Sequence, residues 1–68
     1  MVIVLNGKKL DVPAGATLDA LLLQNDISTR TDGVAVAVND AVVPRRQWAG
    51  ILLQEGDAIE VIHAVQGG

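Results

Sequence analysis

Apolar and polar positions along this chain change rhythm several times, and each change marks an element. Val2-Ile3-Val4-Leu5 is a β-branched apolar run that stops at Asn6-Gly7, the dipeptide that most strongly signals a two-residue hairpin turn. Lys9-Leu10-Asp11-Val12 then alternates, so the first dozen residues read as a β-hairpin. Pro13-Ala14-Gly15 ends it, because proline has no N–H to give a ladder and glycine relaxes the backbone. From Thr17 the spacing becomes helical: Leu18, Leu21 and Leu22 fall at i, i+3 and i+4, with Leu23 off the stripe. A helix through Gln24 or Asn25 is predicted, with Thr17 as N-cap and Asp19 favourably placed in its first turn.

Residues 26–33 are small and polar and read as a connection. Val34-Ala35-Val36-Ala37-Val38 follows as a strand with valines on one face and alanines on the other. Asn39-Asp40 closes it, and Ala41-Val42-Val43 reads as a short extension. Pro44-Arg45-Arg46-Gln47-Trp48 suits one helical turn, since proline is tolerated at the first helical position. Glu55-Gly56-Asp57 is a turn, and 58–65 is the last strand, rich in β-branched residues.

One leucine-striped helix and several half-buried strands must cover each other to leave water. The economical architecture is α+β: a β-grasp, with a mixed sheet of four to five strands and one main helix across one face. Its first and last strands lie parallel at the centre of the sheet. Residues 1–65 then form the domain, and 66–68 a tail that leaves it from a strong element. Alternation sends Ile3, Leu5, Ile59 and Val61 toward the helix. Val2, Val4, Glu60, Ile62 and Ala64 go to the opposite face, which marks Val2, Val4, Ile62 and Ala64 as a candidate docking surface.

Composition narrows the chemistry. The chain has 68 residues, half of them apolar, with Trp48 as the sole aromatic, so the core is expected to be built from Val, Leu, Ile and Ala. No cysteine is present, which removes disulfides, zinc–cysteine and iron–sulfur sites and thiol nucleophiles together. A formal net charge of −3 gives no general attraction to nucleic acid or an anionic membrane. The apolar start has no basic segment before it and is too short to span a bilayer, so the expected location is the cytoplasm. His63 has no nucleophile or orienting partner nearby in the strand, and the acidic residues show no metal-ligand spacing. The basic pairs Lys8-Lys9 and Arg45-Arg46 are too small to track a phosphate backbone.

What remains is the end of the chain, Gln66-Gly67-Gly68. Two terminal glycines arise by chance in roughly one chain in two hundred at ordinary glycine usage. Lacking a Cβ, they make a thin tail that an activating enzyme could admit into a narrow slot beside ATP. A carboxylate is a poor electrophile, and adenylation of Gly68 supplies the leaving group that a sulfur nucleophile needs. The expected product is a thiocarboxylate on Gly68, with no cofactor held by the chain itself.

Val36-Ala37-Val38-Asn39-Asp40, Val42-Val43-Pro44-Arg45-Arg46-Gln47-Trp48, Glu55-Gly56-Asp57 and the closing Gly67-Gly68 resemble the ThiS family of ubiquitin-like sulfur carriers in thiamine biosynthesis. The likeness runs over nearly the whole chain and is most specific at Val43-Pro44-Arg45-x-x-Trp48. The resemblance implies a carrier rather than an enzyme. Its C-terminal glycine, here Gly68, would be adenylated by a ThiF-type enzyme using ATP and Mg²⁺ and loaded with sulfur from a cysteine desulfurase. A ThiG-type thiazole synthase would then take the sulfur, with the outward sheet face docking on these partners. The small subunit of molybdopterin synthase shares the tail and its chemistry; against it stand the short length and the Val-Pro-Arg segment. A ubiquitin-like modifier would instead use Gly68 to form an amide with lysine.

Overall fold

A computed structural model describes residues 1–25 and 33–63. Five strands, β1 (Val2–Leu5), β2 (Lys8–Asp11), β3 (Val34–Val38), β4 (Ala41–Val43) and β5 (Ala58–His63), form one sheet in the order β2-β1-β5-β3-β4. Only the β1–β5 pairing among these is parallel, so the sheet is mixed, with β1 and β5 near its middle. Helix α1 (Leu18–Gln24) lies in sequence between the β1–β2 hairpin and the β3–β4 hairpin, and a 3₁₀ helix (Arg45–Gly50) precedes β5.

The leucine stripe does what its spacing predicts: Leu18, Leu21 and Leu22 are buried, and Leu23 is exposed. They share one core with Ile3, Leu5, Val36, Ile59 and Val61 from the sheet. Each such side chain stabilises the fold by about 1.5–3 kcal/mol relative to exposure. The inward and outward sets of β1 and β5 are those expected from alternation, and in β3 Val36 is buried while Ala35 is exposed.

Three readings change. The core is not purely aliphatic, because Trp48 is buried to 2% exposure within it. Its indole N–H donates to the Val43 carbonyl at 2.8 Å, which satisfies the ring's one polar atom. Thr17 is the N-cap residue of α1, as expected, but its side chain makes no capping bond; the hydroxyl donates instead to the Asp19 carboxylate at 2.6 Å. The helix start is held by tertiary contacts, since the Leu18 N–H bonds to the Ile51 carbonyl and Thr17 bridges to Leu52. Residues 41–43 are a full strand, hairpin-paired to β3 through Asn39 and Asp40, both at positive φ. The 26–32 part of the predicted connection and residues 64 and 65 of the predicted last strand lie outside the described residues.

Candidate functional site

β5 is braced on both sides, and it is the element from which the sequence continues to Gly68. On one side it pairs in register with β3 from Ile59↔Val38 to His63↔Val34. On the other, the Val4 N–H donates to the Asp57 carbonyl at 2.8 Å and the Asn6 N–H to the Ile59 carbonyl at 2.9 Å. Its start is fixed by side chains. Asn39 accepts the Ala58 N–H through Oδ1 and donates through Nδ2 to Asp57, whose other oxygen accepts the Gln54 N–H. Glu55 accepts the Val2 N–H at 3.0 Å, tying the turn before β5 to the start of β1.

The outward face can be built row by row from the register. Val4 stands between Lys9 of β2 and Ala58 of β5, with the Val2–Asp11 pair one step down. Glu60, Ala37 and Val42 form a row across β5, β3 and β4, and Ile62 pairs with Ala35. Of the expected docking residues, Val2 is 40% exposed, Ile62 is 59% exposed and Val4 is partly buried. Val2 and Val4 sit at the beginning of β5, whereas Ile62 sits near its end, with Glu60 between them on that strand. Ile62 has apolar company on the other side, in Ala35, Ala37 and Val42, the last 75% exposed. Sequence reasoning assigned none of these three to the docking surface; the small-residue alternation of β3 carried the signal, but only the strand order sets it beside Ile62. Ala64, Gln66, Gly67 and Gly68 lie outside the described residues.

Among the described residues no group of three or more His, Asp or Glu is arranged to hold a metal ion. No helix of the described residues is long and apolar enough to cross a membrane. Arg45 lies over the Trp48 ring at 5.6 Å from its centroid, so one member of the Arg45-Arg46 pair helps to cover the core tryptophan.

Among the described residues, one α-helix with a mixed sheet whose first and last strands pair in parallel defines a ubiquitin-like β-grasp protein. The crystal structure of the thiamine biosynthesis protein ThiS from Geobacter metallireducens superposes with a TM-score of 0.83, at 26% identity, covering all of both chains. The chain belongs to the ThiS family, whose model matches residues 3–68. It is 40% identical over 68 residues to the sulfur carrier protein ThiS of Escherichia coli, again over the whole of both. A thiazole synthase of Magnetococcus marinus is 43% identical over the same 68 residues, which span 20% of that protein. As a member of this family the chain is a small sulfur carrier of thiamine biosynthesis and not an enzyme.

Proposed function

We propose that the carried sulfur is held as a thiocarboxylate on Gly68. The Gly68 carboxylate attacks the α-phosphorus of ATP on a ThiF-type enzyme, with Mg²⁺ bound there, and pyrophosphate leaves. The terminal sulfur of a persulfide from a cysteine desulfurase then displaces AMP from the acyl-adenylate, and a thiol reductant cleaves the resulting acyl disulfide, leaving the thiocarboxylate and a disulfide. Gln66 and Gly67 form the thin approach that lets the carboxyl reach the nucleotide. The observation that carries this reading is the alignment with the E. coli sulfur carrier, which runs through Gly68 over the full length of both chains. The reading places the cycle in the cytoplasm, where ATP and the desulfurase operate.

A thiazole synthase of ThiG type is the recipient we infer. In the M. marinus protein a segment similar to this whole chain is part of a thiazole synthase polypeptide, and joining two modules in one chain raises the effective concentration of one for the other. The face bearing Val2, Val4, Ile62 and Ala64 is the docking surface in this reading.

Intact-mass measurement after incubation with adenylating enzyme, ATP, Mg²⁺ and a sulfur source is expected to show one oxygen exchanged for sulfur. Deleting Gly68 is expected to abolish the exchange and leave the thermal unfolding midpoint unchanged. A truncated chain that still takes up sulfur overturns the assignment of the site.

A further inference from the structure

Asn6 holds β5 at the point where β1 has stopped. Along the parallel β1–β5 ladder every second residue on the β1 side donates its N–H one step back on β5 and accepts an N–H one step ahead. Val4 and Asn6 both make the first kind of bond, to the carbonyls of Asp57 and Ile59. The regular partner for the Val61 N–H is therefore the backbone carbonyl of Asn6. Asn6, however, is in the left-handed region at φ 49°, followed by Gly7 at 84°, because the chain turns there into β2. The acceptor of the Val61 N–H is instead the Asn6 side-chain oxygen Oδ1, at 2.8 Å and across 55 residues of sequence. The side chain substitutes for a main-chain carbonyl and extends the ladder by one bond past the end of the strand.

Val61 lies seven residues before Gly68. We propose that Asn6 is a positioning residue for sulfur loading: it pins Val61 so that the tether from the docked domain to the Gly68 carboxyl stays short. This rests on the reading of Gly68 above. Without the Oδ1 acceptor the end of β5 keeps only its β3 side, and fraying back toward Val61 lengthens that tether. The local concentration of a tethered group falls with tether length at about the −3/2 power or more steeply. The loss belongs to the step after docking and so to kcat.

Asn39 supplies a matched control, since it also has positive φ and also accepts a β5 amide through Oδ1, but at Ala58, the opposite end of the strand. The test compares the Asn6→Gly, Asn6→Asp and Asn39→Gly variants with the unaltered chain. Both glycine variants tolerate the left-handed backbone and lack the acceptor; Asn6→Asp keeps an oxygen in place. Thiocarboxylate formation is followed by intact mass against carrier concentration, and amide exchange at Val61 and Val36 by NMR. Asn6→Gly is expected to lower kcat by up to about twofold with KM nearly unchanged and to speed exchange at Val61 but not at Val36. Asn6→Asp is expected to behave as the unaltered chain, and Asn39→Gly to keep its kcat. Unchanged kcat in Asn6→Gly, an equal fall in Asn39→Gly, or no rescue by aspartate overturns the proposal. If the unaltered chain takes up no sulfur, the Gly68 reading fails instead, and unchanged exchange at Val61 in Asn6→Gly still overturns the clamp.

Discussion

Trp48 couples two neighbouring pieces of the chain that the strands alone leave loosely joined. It is carried by the 3₁₀ helix, fills the core and donates its indole N–H back to Val43, the last residue of β4. Trp48→Phe keeps most of the packing but leaves the Val43 carbonyl without this donor, and is expected to cost about 1–3 kcal/mol. Trp48→Ala also opens a cavity and is expected to cost about 3–5 kcal/mol. Urea unfolding followed by circular dichroism separates the two, and a Trp48→Phe midpoint equal to that of the unaltered chain would show that the hydrogen bond contributes nothing. At this scale the sequence was legible where side-chain type alone decides, as for Leu18, Leu21 and Leu22. It was opaque where one side chain has two competing uses. Thr17 has the chemistry of an N-cap and spends its hydroxyl on Asp19. Asn6 reads as a turn residue, which it is, but nothing local announces its bond to Val61, because that bond spans most of the chain.

Helix α1 is seven residues long, too short to persist in water on its own, so its stability is borrowed from the sheet. Leu22 is fully buried in the core. Leu22→Ala is expected to cost about 2–5 kcal/mol, enough to unfold much of a marginally stable chain of this size. The exposed Leu23→Ala next to it is expected to change stability by less than about 0.5 kcal/mol; thermal melts of the pair check both. Equal shifts would mean that the stripe does not face the core. The elements were readable because a 3.6-residue period and a two-residue period each tie burial to position. Their ends were less so. β2 begins at Lys8 rather than Lys9, and α1 finishes with the Asn25 side chain donating to the Leu21 carbonyl. Both ends depend on hydrogen-bond partners that periodicity does not report.

As a whole the molecule gives one sheet face to its core and leaves the other partly apolar and in water. Ile62 and Val42 are both well exposed there, separated by the small side chains of Ala35 and Ala37. Ile62→Asp and Val42→Asp are each expected to weaken binding to a thiazole synthase by about tenfold, the factor that roughly 1.4 kcal/mol of lost apolar contact represents. Val42→Asp is expected to leave the melting temperature within a degree or two, and isothermal titration with the synthase reads the affinity. Unaltered binding in both variants would move the docking surface elsewhere. The β-grasp architecture could be read from the order of elements. The composition of the outward face could not, since it is set by β3 lying beside β5. The parallel pairing of β1 with β5 has a mechanical side as well. Because the two strands run the same way, tension drawn along β5 toward its end and resisted at the start of β1 does not peel them apart one bond at a time. It loads the Val4–Asp57, Asn6–Ile59 and Val61–Asn6 bonds together, in shear. A pull on β5 is therefore met by the whole ladder at once rather than bond by bond.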